Sequence, residues 1–217
     1  MPAVIFDLDG TLLATLDDLA DSANRALSAM GFPRWPTETY NYHVGDGVGE
    51  LVRRILPEDV RDDAKVAEEF RKCFMSDYQC NWNNKTKCYE GIEAMLDGLA
   101  ATGIPCAILS NKPDMLAKKC FADYFGKWEF VEVLGNRPEF PRKPDPGAAM
   151  WLAGRLDTFP ADVFYVGDTA TDMETAVAAG FVPVGVTWGF RPRSELEESG
   201  AKFIIDSPEE LLEIITE

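Results

Sequence analysis

Histidine is almost missing from this chain of 217 residues, with His43 the single instance. Any Ser-His-Asp triad would have to be built on it, and a zinc site using two histidines of one helix is excluded. Basic residues are also scarce, with 21 Lys and Arg against 37 Asp and Glu and a formal charge of −16. Such a surface repels nucleic-acid phosphates and anionic membranes, and no Lys/Arg cluster offsets it, so neither partner is expected. The cysteines (Cys73, Cys80, Cys88, Cys106 and Cys120) are odd in number and never form a C-x-x-C pair. That argues against a disulfide framework or a cysteine-rich zinc site, and for reduced thiols that serve packing. No apolar run approaches membrane-spanning length, and Met1-Pro2-Ala3 lacks the basic start of a secretion signal. A soluble cytoplasmic protein is the expectation.

What is present suits an ordinary globular fold: 46% of residues are hydrophobic and 27% charged. The length suggests one domain, or one domain carrying a modest insertion. Short apolar runs at Val4-Ile5-Phe6, 105–109, 130–134, 163–166, 183–186 and 203–205 read as buried strands. Between several of them lie helical patterns that stop at Gly103, Gly180 and Gly200. Ser207-Pro208-Glu209-Glu210 reads as a capping box with proline at the first helical position, 194–197 repeats the box pattern, and Asp145-Pro146 opens a further helix. This repetition predicts an α/β fold, a Rossmann-like, doubly wound parallel sheet. The stretch 15–86 breaks the alternation. Leu16, Leu19, Ala20, Ala23, Leu27 and Met30 keep helical spacing, as do Val60, Ala67, Phe70, Phe74 and Tyr78. The predicted organisation is therefore a core of 1–14 and 87–217 with an inserted α-helical domain of 15–86.

Four polar segments lie at or near strand ends, where the ligand crevice of an open parallel sheet is found. They are Asp7-Leu8-Asp9-Gly10-Thr11, Ser110-Asn111, Lys143 and Gly167-Asp168-Thr169-Ala170-Thr171-Asp172. Extended backbone would point the carboxylates of Asp7 and Asp9 the same way. Their repulsion would keep one ionised and raise the pKa of the other, a pairing suited to a nucleophile beside a proton donor. A turn reversed by Gly10 is the bland reading of the same residues, while an EF-hand fails because its sixth position is Leu12. Asp168 and Asp172 stand one helical turn apart. With Asp7 they form an all-oxygen set that calls for a cation, magnesium by ligand type. Ser110, Asn111 and Lys143 suit a phosphate.

In order and spacing, Asp7-Leu8-Asp9-Gly10-Thr11-Leu12, Ser110-Asn111, Lys143-Pro144-Asp145-Pro146 and the 167–172 segment resemble the haloacid dehalogenase superfamily, its phosphoglycolate-phosphatase branch above all. Asp18-Leu19, Val44-Gly45-Asp46-Gly47, Tyr89-Glu90-Gly91-Ile92 and Val186-Thr187-Trp188-Gly189-Phe190 extend the likeness, so that it covers essentially the whole chain. The resemblance implies that Asp7 attacks phosphorus, forming an aspartyl-phosphate. Asp9 would protonate the leaving alkoxide and then deprotonate water. Gly10, Thr11, Ser110, Asn111 and Lys143 would bind the phosphoryl group. Mg2+ would be held by Asp7, the Asp9 carbonyl, Asp168 and Asp172, and 15–86 would be the cap. Asp9 itself favours phosphoryl transfer, because dehalogenases lack an acid there. Ala14 and Glu90 depart from the family's usual Asp and Pro at the cap linkers.

Within the insertion, His43, Gly45, Gly47 and Arg53 are candidate substrate contacts, with Arg54 beside them. An arginine there could take a carboxylate or a second phosphate, a solvated helix face being the bland alternative. The expected activity is a magnesium-dependent phosphatase acting on a small phosphorylated metabolite, 2-phosphoglycolate foremost, as a monomer or homodimer. A phosphomutase is the nearest rival, but family mutases show a cap His and Lys where this chain reads Thr15-Leu16-Asp17-Asp18-Leu19-Ala20. Pyrophosphate and nucleotides remain open as substrates. A receiver-like signalling module is opposed by Asp9 and by the size of the insertion.

Overall fold

The computed structural model describes residues 1–216 and divides the chain into two compact units. One comprises Met1–Leu13 with the chain from Cys88 onward, the other Ala14–Lys87. The larger unit is built on six parallel strands: β1 (Ala3–Phe6), β4 (Cys106–Pro113), β5 (Glu132–Asn136), β6 (Val163–Gly167), β7 (Val182–Val186) and β8 (Phe203–Ile205). Two short strands, β2 (Leu13–Ala14) and β3 (Lys87–Cys88), pair separately where the chain crosses between units. The large sheet runs β5-β4-β1-β6-β7-β8. Strand β1 therefore has β4 and β5 to one side and β6, β7 and β8 to the other. Its register sets Phe6 beside Ile108 and beside Val166. Three chain segments widely separated in sequence thus leave the sheet at adjacent points.

The strands read as continuous apolar runs because both sheet faces are covered. On one face Ala3, Ile5, Ala107, Leu109, Val163 and Tyr165 alternate along their strands. They pack against alanines and Leu152 of α6 (Gly147–Arg155) and against Ala176 and Ala179 of α7 (Ala170–Ala179). Val4, Phe6 and Ile108 face the other way and are equally buried. Helices α4 (Ile92–Thr102) and α7 stop at Gly103 and Gly180, both left-handed, as the sequence predicts. The remaining helices of this unit are α5 (Asp114–Tyr124), α8 (Arg193–Glu198) and α9 (Glu210–Thr216).

The sequence reading differs locally from the structure. Strand β5 starts at Glu132, leaving Phe130 to pack its ring on Phe121, and β4 runs on to Pro113. Ser194 is no cap: α8 starts at Arg193 after Pro192, with no side-chain cap hydrogen bond. At 207–210, Glu210 accepts hydrogen bonds from both the main-chain N–H and the hydroxyl of Ser207.

The smaller unit consists of α1 (Leu16–Ala29), a 3-10 turn over Thr37–Tyr42, α2 (Val48–Ile55) and α3 (Ala64–Asn81). Phe70, Phe74 and Tyr78 recur at four-residue intervals on α3 and stack, with centroids 6.4 and 5.6 Å apart. They are buried together with Leu19, Ala20, Ala23 and Leu27 of α1. Val60 lies before α3, whose cap is Asp63, accepting from the N–H groups of Lys65 and Val66. Asp18 ties the start of α1 to the returning chain. Its buried carboxylate accepts from the N–H groups of Lys85 and Thr86 and from the Thr86 hydroxyl.

Candidate active site

The main-chain N–H of Asp7 donates to Val166 at 2.9 Å, which holds this residue in line with β1 and β6. Beyond it the chain turns sharply, with the N–H groups of Leu12 and Leu13 both donating to the Leu8 carbonyl. Gly10 adopts φ +91 in that turn, and a β-carbon there would overlap the carboxylate of Asp168. Only glycine meets both demands. Asp168 follows β6 and is fully buried, accepting from the Thr11 hydroxyl at 2.9 Å and from the Phe190 N–H at 2.8 Å. Gly189 approaches the same carboxylate so closely that a side chain would collide with it. The 186–190 segment thus helps to form the pocket around Asp168, while the Trp188 indole donates to the Thr11 carbonyl.

Asp172 opens α7 in a capping box with Thr169. Its Oδ2 accepts from the N–H and hydroxyl of Thr169, and the Thr169 hydroxyl accepts from the Asp172 N–H. The other oxygen, Oδ1, lies 2.6 Å from Nζ of Lys143. Lys143 comes from the loop between β5 and α6 and is buried, its ammonium also 3.0 Å from Asp7 and 3.2 Å from the Leu109 carbonyl. Asn111 aligns that loop. Its amide donates to the Lys143 carbonyl, and its carbonyl accepts the Lys143 N–H at 3.0 Å. The Ser110 hydroxyl accepts from the N–H of Lys112.

Burial dominates the electrostatics. It pushes the Asp7 carboxyl up from 3.8 to about 7, Lys143 opposing and Asp172 adding to the rise. The sequence points to Asp9 as the repelling neighbour, but the carboxylate that raises Asp7 is that of Asp172. Asp168 is raised well above the ordinary range by burial, reinforced by Asp172 and Asp7. Burial works against the Lys143 ammonium, yet Asp172 and Asp7 outweigh it and hold its pKa well above normal. Three buried carboxylates with ligand atoms within 4.8 Å of one another therefore face one ammonium. Lys143 is the cation paired with Asp7 Oδ1, yet that buried oxygen makes no well-aligned hydrogen bond. Three buried carboxylates balanced by one ammonium fit a further hard cation with oxygen ligands.

Asp9 turns away from this cluster. Its two oxygens lie 2.8 and 3.0 Å from Nζ of Lys112 on β4. In the sequence Asn111-Lys112-Pro113 reads as a turn, which conceals Lys112 as the partner of Asp9. Its spacing of two from Ser110 within an extended strand was the available signal.

Of the phosphate-binding candidates, Gly10, Thr11, Ser110, Asn111 and Lys143 all belong to this unit, grouped at one end of the sheet. Thr11 is engaged with Asp168 and Asn111 with Lys143. His43, Gly45, Gly47 and Arg53 belong to the smaller unit. There His43 meets Trp35 and Tyr40 edge-on at 5.5 and 5.6 Å. Gly45 and Gly47 take φ +111 and +85 ahead of α2. Arg53 pairs with Glu50 at 2.9 Å on an exposed face, and Arg54 with Asp46.

A family model described as haloacid dehalogenase-like hydrolase matches residues 4–186. A phosphoglycolate phosphatase of Neisseria meningitidis serogroup A is 35% identical over 222 residues, spanning 97% of this chain and 92% of that protein. One from Vibrio parahaemolyticus is 30% identical over 216 residues, with 98% and 95% covered. Among solved structures, a predicted phosphoglycolate phosphatase from Haemophilus somnus superimposes with a TM-score of 0.91 at 27% identity, covering 99% of this chain and 97% of that one.

Proposed function

The chain belongs to the haloacid dehalogenase-like hydrolase family, and on that premise we propose that it is a magnesium-dependent phosphatase of small phosphorylated metabolites, 2-phosphoglycolate foremost. The observation that carries this reading is the buried set of Asp7, Asp168, Asp172 and Lys143 beside a second, partly open carboxylate, Asp9. The relatives named as phosphoglycolate phosphatases support the substrate.

In this mechanism Asp7 is the nucleophile, supported by β1 and by its contact with Lys143. One carboxylate oxygen attacks phosphorus, and the bond to the leaving oxygen breaks. Asp9 gives that oxygen a proton, then as carboxylate takes one from the water that hydrolyses the aspartyl-phosphate. Lys143 faces the phosphoryl oxygens with a permanent charge, and Ser110 stands beside it as a hydroxyl donor. Asp7, Asp168 and the Asp9 carbonyl would hold the Mg2+, with Asp172 against Lys143. When bound, the ion neutralises charge on the transferring phosphoryl group. Thr11, Phe190 and Thr169 keep Asp168 and Asp172 fixed, so little reorganisation accompanies the reaction.

The test is phosphate release from a panel including 2-phosphoglycolate, sugar phosphates, nucleotides and pyrophosphate. The expected result is turnover that needs magnesium, stops with chelator and is abolished in Asp7→Asn. Release that persists in Asp7→Asn would overturn the covalent mechanism. A folded wild type that releases phosphate from none of the panel would overturn the phosphatase.

A further inference from the structure

Asp9 and Lys112 lie 103 positions apart in the sequence, yet the sheet makes them neighbours. Strands β1 and β4 run parallel with Phe6 beside Ile108, and both chains continue past that point in the same direction. Lys112 extends its side chain across this gap and meets both Asp9 oxygens, at 2.8 and 3.0 Å. The exposures of the two side chains differ: 2% for Lys112 against 17% for Asp9. The ammonium is thus sealed beneath the carboxylate, and a ligand arriving from solvent meets Asp9 first.

We propose that Lys112 is a positioning residue that clamps the Asp9 carboxyl group in place for proton transfer at the leaving-group oxygen. The proposal rests on the phosphatase reading above. In the first half-reaction an Asp7 oxygen bonds to phosphorus, the ester P–O bond breaks, and the departing oxygen keeps the bond electrons and takes the Asp9 proton. In the second, Asp9 removes a proton from water, the water oxygen bonds to phosphorus, and the Asp7–phosphorus bond breaks. Inorganic phosphate leaves, and Asp9 is again protonated. Both halves require the Asp9 carboxyl at a fixed place. A free aspartate samples several rotamers, whereas one anchored by a buried cation, through both oxygens as the carboxylate and through one when the other carries the proton, does not. Misplacement by about 1 Å is enough to slow a positioned reaction roughly 100-fold.

The experiment separates the two halves by leaving group. An alkyl ester such as 2-phosphoglycolate needs its departing oxygen protonated, whereas para-nitrophenyl phosphate releases a stable phenolate without help. Rapid-quench and stopped-flow kinetics would be run on wild type, Lys112→Met, Lys112→Gln, Lys112→Arg, Asp9→Asn and the double variant Asp9→Asn/Lys112→Gln. Thermal melts would establish that each is folded, the glutamine variant standing in if methionine is not accepted. With Lys112→Met or Lys112→Gln, transfer from the alkyl ester should slow about 100-fold, the range of general acid catalysis. The aryl ester should still give a fast burst of about one nitrophenolate per enzyme, followed by slow turnover because water activation is impaired. Lys112→Arg should recover part of the loss. The double variant should be no slower than Asp9→Asn, since a residue acting only through Asp9 has nothing left to act on. Equal slowing of both esters in the burst would place Lys112 on the phosphoryl group and overturn the proposal. So would additive losses in the double variant, or unchanged kinetics with both esters. A wild type that forms no phospho-enzyme from either ester overturns the phosphatase reading itself.

Discussion

Lys143 and Asp172 form an ion pair of 2.6 Å in which the side chains are 2% and 0% exposed. The same ammonium lies 3.0 Å from Asp7, so a single cation serves two buried carboxylates. Removing it leaves both without that charge. Breaking a buried pair by deleting one partner costs about 3–5 kcal/mol, and Lys143→Met is expected to lose stability on that scale as well as all activity. Urea denaturation at pH 8 would measure it. The loss should shrink at acid pH, where the carboxylates can take protons.

The burial that raises Asp7 to about 7 predicts a pH dependence of a definite sign. The folded carboxyl holds its proton to higher pH than the unfolded one, whose pKa is near 3.8. Between these values the native state binds more protons, so this group's contribution to stability falls as pH rises from about 4 to about 7. Without metal, the melting temperature should therefore carry an acid-favouring component. Added magnesium should raise it more at pH 8 than at pH 5, because only the ionised cluster attracts the cation. Equal stabilisation at both pH values would contradict the assignment.

Gly10→Ala should damage the site without removing a charged group. At φ +91 a β-carbon is strained, and it would also overlap Asp168. A loss of about 1–3 kcal/mol from strain alone is expected, together with displacement of the carboxylate. Calorimetric titration with magnesium should show weakened binding, and chemical denaturation the stability change.

Asp18→Ala tests the base of the helical unit. The carboxylate accepts from three groups on Lys85 and Thr86, all within that unit. Their buried N–H and hydroxyl donors would lose this acceptor, at about 1–3 kcal/mol for each left unsatisfied. A fall in melting temperature with freer proteolysis near residues 85–86 is the expected outcome.

Much of this architecture was legible because its signals are local. Apolar runs in parallel strands buried on both faces, and glycines at helix ends, carry their own meaning. The capping box of Thr169 and Asp172 has a local pattern too, although the sequence reading takes Asp172 only as a carboxylate one helical turn from Asp168. Strand β5 was misplaced at its start because Phe130, an aromatic in an apolar run, packs on α5 instead of entering the ladder. Lys112 reads as part of a turn, since a partner 103 positions away leaves no mark on the residues beside it.

Short segments carry the α/β alternation, the helical insertion and the candidacy of Asp7, Asp9, Asp168, Asp172 and Lys143, because spacing and residue chemistry are local properties. Only the tertiary structure decided how those groups are shared. It gave Lys143 to both Asp7 and Asp172, closed Asp168 in by Thr11 and Phe190, and turned Asp9 toward Lys112. The reason is physical: the state of a carboxylate depends on the water it has lost and the charges within a few ångströms. Both are set when β4, β1 and β6 come side by side.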